Sequence, residues 1–412
     1  MGQRSAIRIG VALVAASLAF AAAGCGNRGG ETGSQGGEGD APTKTAKIGV
    51  ISPTSGGLSA LGIGIKNSVD LAIKQANETK AIPGWTLELA AEDDAENPDT
   101  GKNAATKLAA DDEVVGVVGT LQSSIAQQVQ PVLASANIVQ VSPANTNDTL
   151  TKGAKFETAP ERPYPTYFRV CAVDSLQGPY AAQYVYNTLK FTKVATIHDK
   201  LTYGQGLVEA FTKEYTKLGG TVVAAETVQK DETDFGAVIS KIAPKAPQLV
   251  YYGGQYPQSG PLSNQMKSGG LKVPVMGGDG MQAGDYIKLA GAASEGDFAT
   301  SVGAPTDALE SAKKYVDDYG KAGYKDPYET YGGYSYDAAN SIIEALKVAL
   351  KDATDAKSAR AKVVEAMANV SFDGVTGKVG FDEFGDTTTK ILTMYKVESG
   401  KWAAASTDDL GQ

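Results

Sequence analysis

The chain has 412 residues, of which 42% are hydrophobic and 21% are charged, a composition typical of globular proteins. This length predicts two or three domains. The formal charge of −9 argues against a nucleic-acid binder, which usually carries a basic face. Two cysteines and one histidine exclude a disulfide scaffold, a four-cysteine zinc site and most histidine-based metal sites.

The N-terminal segment has the pattern of a secretion signal. Arg4 and Arg8 precede an uncharged apolar run over residues 9–23, which is shorter than the roughly 20 residues of a membrane-spanning helix. Small residues and then Cys25 follow this run. The segment resembles the lipobox of bacterial lipoproteins, which implies cleavage after residue 24 and lipidation of Cys25. Cleavage of an ordinary signal peptide nearby is the alternative.

A glycine-rich stretch follows the cysteine. Residues 26–41 are nearly half glycine and include no large apolar side chain. Such a composition cannot bury a core and is typical of a flexible linker. We therefore assign residues 1–24 to a signal peptide and residues 25–45 to a lipidated tether that holds a folded part at a membrane.

From residue 47 onward, short apolar runs alternate with amphipathic stretches. Runs rich in β-branched residues predict strands at 47–52, 86–91, 114–119, 137–142, 193–198, 221–226, 248–253 and 272–277. Apolar residues at helical spacing lie between them, as from Val69 to Ala76, and again from Ala339 to Leu350. This alternation predicts an α/β fold of doubly wound parallel sheets covered on both faces.

The alternation falls into two runs, beginning near residues 47 and 193, and therefore predicts two lobes. Ligands of such sheets bind beyond the C-terminal strand ends, so two lobes would enclose a ligand in a cleft. Ser123 or Ser124 is placed to cap a helix whose first N–H groups attract a carboxylate. Asp279 lies among glycines in the second run and suits an ammonium group. Each turn alone is also explained as an ordinary connection.

Longer stretches carry a family resemblance. The chain resembles the type I periplasmic binding proteins, and most closely the branched-chain amino-acid receptors of ABC transporters. The resemblance extends from residue 48 to about residue 395. Its most specific stretches are SPANTNDTLT (142–151), DSLQGPYAAQYV (174–185), TIHDKLTYGQGL (196–207), DFGAVISKI (234–242), LVYYGGQYP (249–257) and the turn at 277–280.

The resemblance implies both an arrangement and a function. It predicts a first lobe of 46–172 plus 302–388 and a second of 173–301 plus 389–406, joined by a three-segment hinge that closes on a ligand. The expected protein is an extracytoplasmic, lipid-anchored monomer that passes an amino acid to an ABC permease, with no catalysis, cofactor or metal. Alternatives are an amide, urea-like or other small polar ligand, a sensor for a separate signalling partner, or an enzyme.

Matching positions imply a ligand site made by both lobes. Ser123 and Thr146 would hold the ligand carboxylate, and the Ala144 carbonyl and the Asp279 carboxylate would hold its ammonium group. The acid at the Asp279 position is often glutamate in the relatives. Tyr203 would help to close the cleft, as would Tyr331.

Two positions that contact the ligand side chain depart from the family pattern. Leu61 stands where relatives often have an aromatic residue, and Gln255 stands where they often have tyrosine. Gln255 could therefore favour a polar or larger ligand. The first-lobe disulfide of some relatives is absent, with Glu96 and Gln122 in its place.

His198 and Cys171 would each suggest catalysis if considered without the rest of the sequence. No G-x-S-x-G, H-E-x-x-H or P-loop pattern accompanies His198, so we interpret it as a structural residue at a strand end. Cys171 lies in a strand-like run and is interpreted as a buried, inert thiol. The tyrosine-rich segment 324–336 predicts a packed, loop-rich region in which Tyr331 alone has a ligand role.

Overall fold

The computed structural model describes residues 43–411, and the predicted signal peptide, most of the tether and Cys25 lie outside them. The described chain first forms a parallel sheet with its helices. Its strands are β1 (Lys44–Ser52), β2 (Trp85–Asp93), β3 (Val114–Gly119), β4 (Val139–Ser142) and β5 (Tyr167–Arg169). Its helices are α1 (Ser59–Glu78), α2 (Pro98–Ala110), α3 (Ser123–Ser135) and α4 (Thr149–Lys152). The strand order is β2-β1-β3-β4-β5.

The remaining strands form a second large sheet and a small hairpin. They are β6 (Lys193–His198), β7 (Thr221–Thr227), β8 (Leu249–Gly253), β9 (Val275–Gly277), β10 (Phe298–Ser301), β11 (Ser371–Gly374), β12 (Gly377–Gly380), β13 (Ile391–Glu398) and β14 (Lys401–Asp409). The large sheet has the order β14-β13-β10-β9-β8-β6-β7, and β11 pairs with β12.

Helices cover both faces of these sheets. The remaining ones are α5 (Asp174–Gln183), α6 (Thr202–Lys217), α7 (Gly236–Ile242), α8 (Tyr256–Ser268), α9 (Gly284–Ala290), α10 (Lys313–Lys321), α11 (Gly332–Ala349) and α12 (Ala356–Met367). In the described part of the chain, no helix has the length and apolar character needed to cross a membrane.

The two lobes of the predicted fold class are confirmed, with three differences in detail. Strand β1 begins at Lys44, so Lys44 and Thr45 belong to the sheet and not to the tether. The second sheet is not entirely parallel, because β13 pairs antiparallel with both β10 and β14. Strand β14 also continues to Asp409, beyond the predicted end at residue 406.

The chain passes between the lobes three times. It leaves the first sheet after β5, returns after β10 to place α11 and α12 against β3 and β4, and rejoins the second sheet at β13. The crossing segments lie side by side, since the Ala172 N–H donates to the Val302 carbonyl (3.3 Å) and the Thr393 hydroxyl donates to the Gly303 carbonyl (2.9 Å). Such adjacent crossings suit a hinge.

Apolar burial explains why the strands hold these positions. Every residue of β3 is buried, as expected for a central parallel strand with helices on both faces. Helix α1 buries Ile65, Val69 and Ile73 on one side, at the spacing of a helix face. The sheets therefore form rigid supports whose C-terminal strand ends carry the polar residues described below.

Candidate functional site

The turn after β3 is held by polar side chains of the neighbouring strand and loop. The Ser142 hydroxyl donates to the Thr120 carbonyl (3.1 Å), and the Asn145 amide donates to the Leu121 carbonyl (2.9 Å). This network brings the loop containing Ala144 beside the start of α3, where Ser123 is the first helical residue. The parallel pairing of β3 with β4 thus places both predicted carboxylate contacts at one edge of the sheet.

Two buried hydroxyls at this edge lack a well-aligned hydrogen bond. Ser123 is 1% exposed and Thr146 is fully buried, and neither hydroxyl has a partner of good geometry. A buried polar group without a partner costs free energy, so such groups usually meet a ligand or water. Thr146 also lies beside the Asp174 carboxyl, whose pKa is raised well above its ordinary value by burial and by the charge of Asp148.

Asp279 is the buried carboxylate of the other lobe. It follows β9 and accepts hydrogen bonds at Oδ1 from the Tyr203 hydroxyl (2.8 Å) and the Gln177 amide (3.0 Å), and at Oδ2 from the Tyr331 hydroxyl (2.7 Å). Burial raises its pKa above the ordinary value, and the three donors oppose part of that shift. All three side-chain donors are neutral, which leaves the carboxylate suited to a cationic partner.

Contacts across the cleft join the two halves of the site. Tyr331 reaches Asp279 from the segment that precedes α11, on the first lobe. The Gln122 amide, at the start of α3, donates to the side-chain carbonyl of Gln255, which immediately precedes α8 (2.8 Å). The Gln255 side chain in turn packs against Gly280, where a Cβ would lie 3.0 Å from Gln255 Cγ. The lobes are therefore closed on each other around the site.

Leu61 is part of the apolar core at the start of α1. It lies in the first turn of that helix, is 1% exposed and belongs to a large buried cluster that extends through both lobes. The structure thus brings Tyr203 and Tyr331 to Asp279 and joins Gln255 to the start of α3, next to Ser123.

Sequence reasoning missed three residues that shape the site. Gln177 lies within the quoted DSLQGPYAAQYV stretch, but its contact with Asp279 depends on tertiary packing. Gln122 was noted only as the replacement of a cysteine, although it bonds Gln255. Tyr256 follows Gln255, and its hydroxyl donates to the Gly57 carbonyl of the first lobe (2.5 Å). For Gln122 and Tyr256 the available signal was a polar residue next to a predicted site position, whereas Gln177 lies inside a helix and had no such signal.

The Tyr256 hydrogen bond yields a prediction about closure. Tyr256→Phe removes a contact that exists only when the lobes meet. Since one hydrogen bond contributes about 0.5–1.5 kcal/mol, we expect the ligand dissociation constant to rise about 2- to 10-fold. Stopped-flow measurement should show faster ligand release. Tyr186→Phe, a hydroxyl deletion elsewhere in the second lobe, is the matched control. Equal release rates for both variants would contradict the closing role.

His198 and Cys171, the two residues that could suggest catalysis, both make hydrogen bonds to the protein backbone. His198 ends β6, and its Nδ1 accepts the Lys200 N–H (3.1 Å). Burial lowers the pKa of this imidazole. Cys171 is fully buried, its thiol donates to the Asn145 carbonyl (3.4 Å), and burial raises its pKa.

The burial of Cys171 predicts an unreactive thiol. In the Cys25→Ser variant, where Cys171 is the only cysteine, we expect little reaction with an aromatic disulfide reagent at pH 8, because the thiolate form is disfavoured and inaccessible. One thiol per chain should react after unfolding in guanidinium. Rapid stoichiometric labelling of the native chain would show that the hinge opens to solvent around this residue.

Comparison with known proteins agrees with this geometry. A family model for periplasmic binding proteins matches residues 45–401. Leu/Ile/Val-binding protein homolog 1 of Brucella suis biovar 1 is 33% identical over 357 residues, which cover 86% of this chain and 90% of that protein. The chain belongs to the type I periplasmic binding proteins, within their branched-chain amino-acid family.

Solved structures show the same relationship. The chain is similar to the leucine binding protein LivK of Thermotoga maritima and to LivJ of Streptococcus pneumoniae, a branched-chain amino acid transporter substrate binding protein solved in complex with isoleucine. Each shares 27% identity and a TM-score of 0.77, with 89% of this chain and 99% of the other covered. The family resemblance of the sequence is thereby confirmed.

Proposed function

We propose that this protein captures a branched-chain amino acid between its lobes and delivers it to an ABC permease from a lipid anchor outside the cytoplasm. The lobes comprise 44–172 with 302–388 and 173–301 with 389–409, and a monomer suffices because both halves of the site belong to one chain. The names of the relatives support the ligand class, and the family supports an extracytoplasmic location.

One observation carries the proposal: the second lobe holds a buried carboxylate with neutral donors, and the first lobe holds two buried hydroxyls, of Ser123 and Thr146, that lack a well-aligned hydrogen bond. The ammonium group would bind Asp279 and the Ala144 carbonyl, and the carboxylate would bind Ser123, Thr146 and the first N–H groups of α3. Opposite charges at opposite sides of a closed cleft select a zwitterion. Closure is favoured by a ligand that contacts both lobes at once.

The side-chain end of the site supports an aliphatic ligand. The Gln255 carbonyl accepts the Gln122 amide, so one of its two lone pairs is used when the lobes are closed. At its matching position in the family, Leu61 would contribute apolar surface to the ligand side chain, and burying a leucine-sized side chain is worth about 1.5–3 kcal/mol. The apolar side chain of Leu61 and the names of the relatives favour a branched aliphatic ligand over an amide or urea-like one.

Isothermal titration tests the proposal. The full chain, purified in detergent and refolded once to remove carried-over ligand, is titrated with leucine, isoleucine, valine, glutamine and urea. We expect saturable 1:1 binding of the branched-chain amino acids. Ser123→Ala should weaken it about 10-fold or more, whereas Ser135→Ala, an exposed serine of the same helix, should not. Binding of glutamine or urea alone would reject the branched-chain ligand.

The anchor requires a separate experiment. Cells that express the chain are fed an alkyne-tagged fatty acid, and the protein is isolated and labelled. We expect label on the wild type and none on Cys25→Ser, which should also leave the membrane fraction. Absence of label on the wild type would contradict lipid anchoring and favour an ordinary signal peptide.

A further inference from the structure

A glutamine behind the ligand site holds the Asp279 carboxylate in place. Gln177 lies in α5 and is fully buried. Its Nε2 donates to Asp279 Oδ1 (3.0 Å), and its Oε1 accepts the backbone N–H of Asp279 (2.9 Å). One side-chain amide therefore fixes both the backbone and the carboxylate of the same residue.

A third contact fixes the orientation of the glutamine itself. The Thr300 hydroxyl, on β10, donates to Gln177 Oε1 (2.5 Å). Two donors converge on Oε1, and one acceptor faces Nε2. Rotating the amide by 180° would place Nε2 against the two donors and Oε1 against the Asp279 carboxylate, so the observed orientation is favoured. Packing leaves little room for other arrangements, since a Cβ at Gly278 would lie 2.8 Å from Gln177 Oε1.

The three residues of this network belong to the same lobe, which separates Gln177 from the closing contacts. Tyr331 reaches Asp279 from the other lobe, and its hydrogen bond exists only when the cleft is closed. Gln177 can hold Asp279 in both the open and the closed protein, so the carboxylate is oriented before a ligand arrives. Preorganisation of this kind strengthens binding by lowering the cost of ordering.

We infer that Gln177 is a positioning residue for recognition of the ligand's ammonium group. It orients Asp279 Oδ1 and donates to the charged form of the carboxylate, while Thr300 fixes Gln177 against β10. The inference rests on the proposed function, because it assigns the ammonium group to Asp279. It predicts that loss of Gln177 selectively reduces affinity for ligands that carry the amino group.

The test compares two ligands on one variant. Leucine and L-2-hydroxy-4-methylpentanoate differ in the ammonium group, and each is titrated into the full-length wild type and Gln177→Met. We expect leucine affinity to fall about 10- to 100-fold, the size of loss that removal of a hydrogen bond to a charged group gives, and hydroxy-acid affinity to fall less than about threefold. Gln183→Met, on the exposed face of the same helix, is the control.

The pH profile supplies a second readout. Gln177 favours the ionised form of Asp279, so its loss should raise the pKa of Asp279 and move the acid limit of leucine binding to higher pH. The other titratable groups around Asp279 are Asp174, Cys171, Tyr203, Tyr251, Tyr331 and Tyr334. Burial raises the pKa of the thiol and the tyrosines, so they stay neutral over this range.

The outcomes separate the two proposals. Failure of the wild type to bind leucine would reject the proposed function itself. Wild-type binding combined with an equal loss of both ligands and an unmoved acid limit in Gln177→Met would overturn the positioning role. If Gln177→Met does not fold, Thr300→Val tests the same link, since it frees the glutamine without removing it. A change in the leucine-to-hydroxy-acid affinity ratio would then support the inference, and an unchanged ratio would reject it.

Discussion

Asp279→Asn should reduce leucine affinity roughly 30- to 1,000-fold, the equivalent of about 2–4 kcal/mol for loss of one side of a buried charge pair. The substitution keeps the size of the side chain but removes the negative charge and one acceptor. The hydroxyls of Tyr203 and Tyr331 donate to the carboxylate, and they cannot donate to an amide nitrogen in the same way. Titration calorimetry of the full chain measures the loss.

Asp279→Asn should also lose the decrease in leucine affinity that the wild type shows on acidification. Burial raises the pKa of Asp279, so leucine affinity of the wild type should fall on acidification at a pH above the ordinary value for an aspartate. Protonation removes the charge that the ammonium group needs. Asp174 is a second buried carboxyl with a raised pKa, and its titration would persist in Asp279→Asn. A flat acid profile in the variant assigns the limit to Asp279.

A matched substitution controls for charge. Asp285→Asn removes a carboxylate six residues further along, where the partner is Lys288 on the surface of α9. Its leucine affinity and acid profile should match the wild type. If Asp285→Asn weakens binding as much as Asp279→Asn, the effect would arise from the net charge of the lobe and not from a contact with the ammonium group.

The fold was largely predictable because its central strands are apolar on both faces. Strands β3 and β6 were predicted with the observed bounds, since each is a short β-branched run between helical patterns. Strands β13 and β14 were not predicted. β14 is mostly exposed and contains several polar residues, so its pattern does not distinguish it from a loop. Its position is set by antiparallel pairing with β13, which no local sequence signal shows.

The site was predictable at strand ends and unpredictable across the cleft. Turns rich in serine, threonine and glycine mark strand ends locally and predicted Ser123 and Asp279, and the family resemblance added the roles of Ala144, Thr146, Tyr203 and Tyr331. The bond between Gln122 and Gln255 joins residues 133 positions apart and exists only when the lobes are closed. Gln177 lies inside a helix, where glutamine has no distinctive pattern. Such contacts follow from tertiary packing and closure.

Arg169 is the residue whose loss should most affect stability. It ends β5 and is fully buried. Its Nη1 donates to the carbonyls of Asn145 (2.7 Å) and Asn147 (2.9 Å), and its Nε donates to Asp386 Oδ1 (2.7 Å). These contacts hold the loop around Thr146 and tie it to the segment that leads into the last crossing between lobes. The guanidinium is therefore both a buried charge and a support for the carboxylate side of the site.

Arg169→Met should lower the free energy of unfolding by about 3–5 kcal/mol, because it leaves the buried Asp386 without its main partner. Burial alone would raise the pKa of Asp386, but Arg169 and Lys152 hold it below the ordinary value. A depressed carboxyl pKa stabilises the fold above the unfolded pKa of about 3.9 and loses that effect on acidification. The stability difference between wild type and variant should thus be largest near neutral pH and shrink below about pH 4.

Guanidinium titrations of the full-length proteins at pH 7 and at lower pH measure this difference. Lys213→Met, which removes the exposed ion pair with Glu157, is the matched control and should cost less than about 1 kcal/mol. If Arg169→Met costs no more than Lys213→Met, or if its cost does not change with pH, the pair with Asp386 does not stabilise the fold. Leucine affinity of the folded variant should also fall, since the loop that holds Thr146 loses two of its backbone contacts.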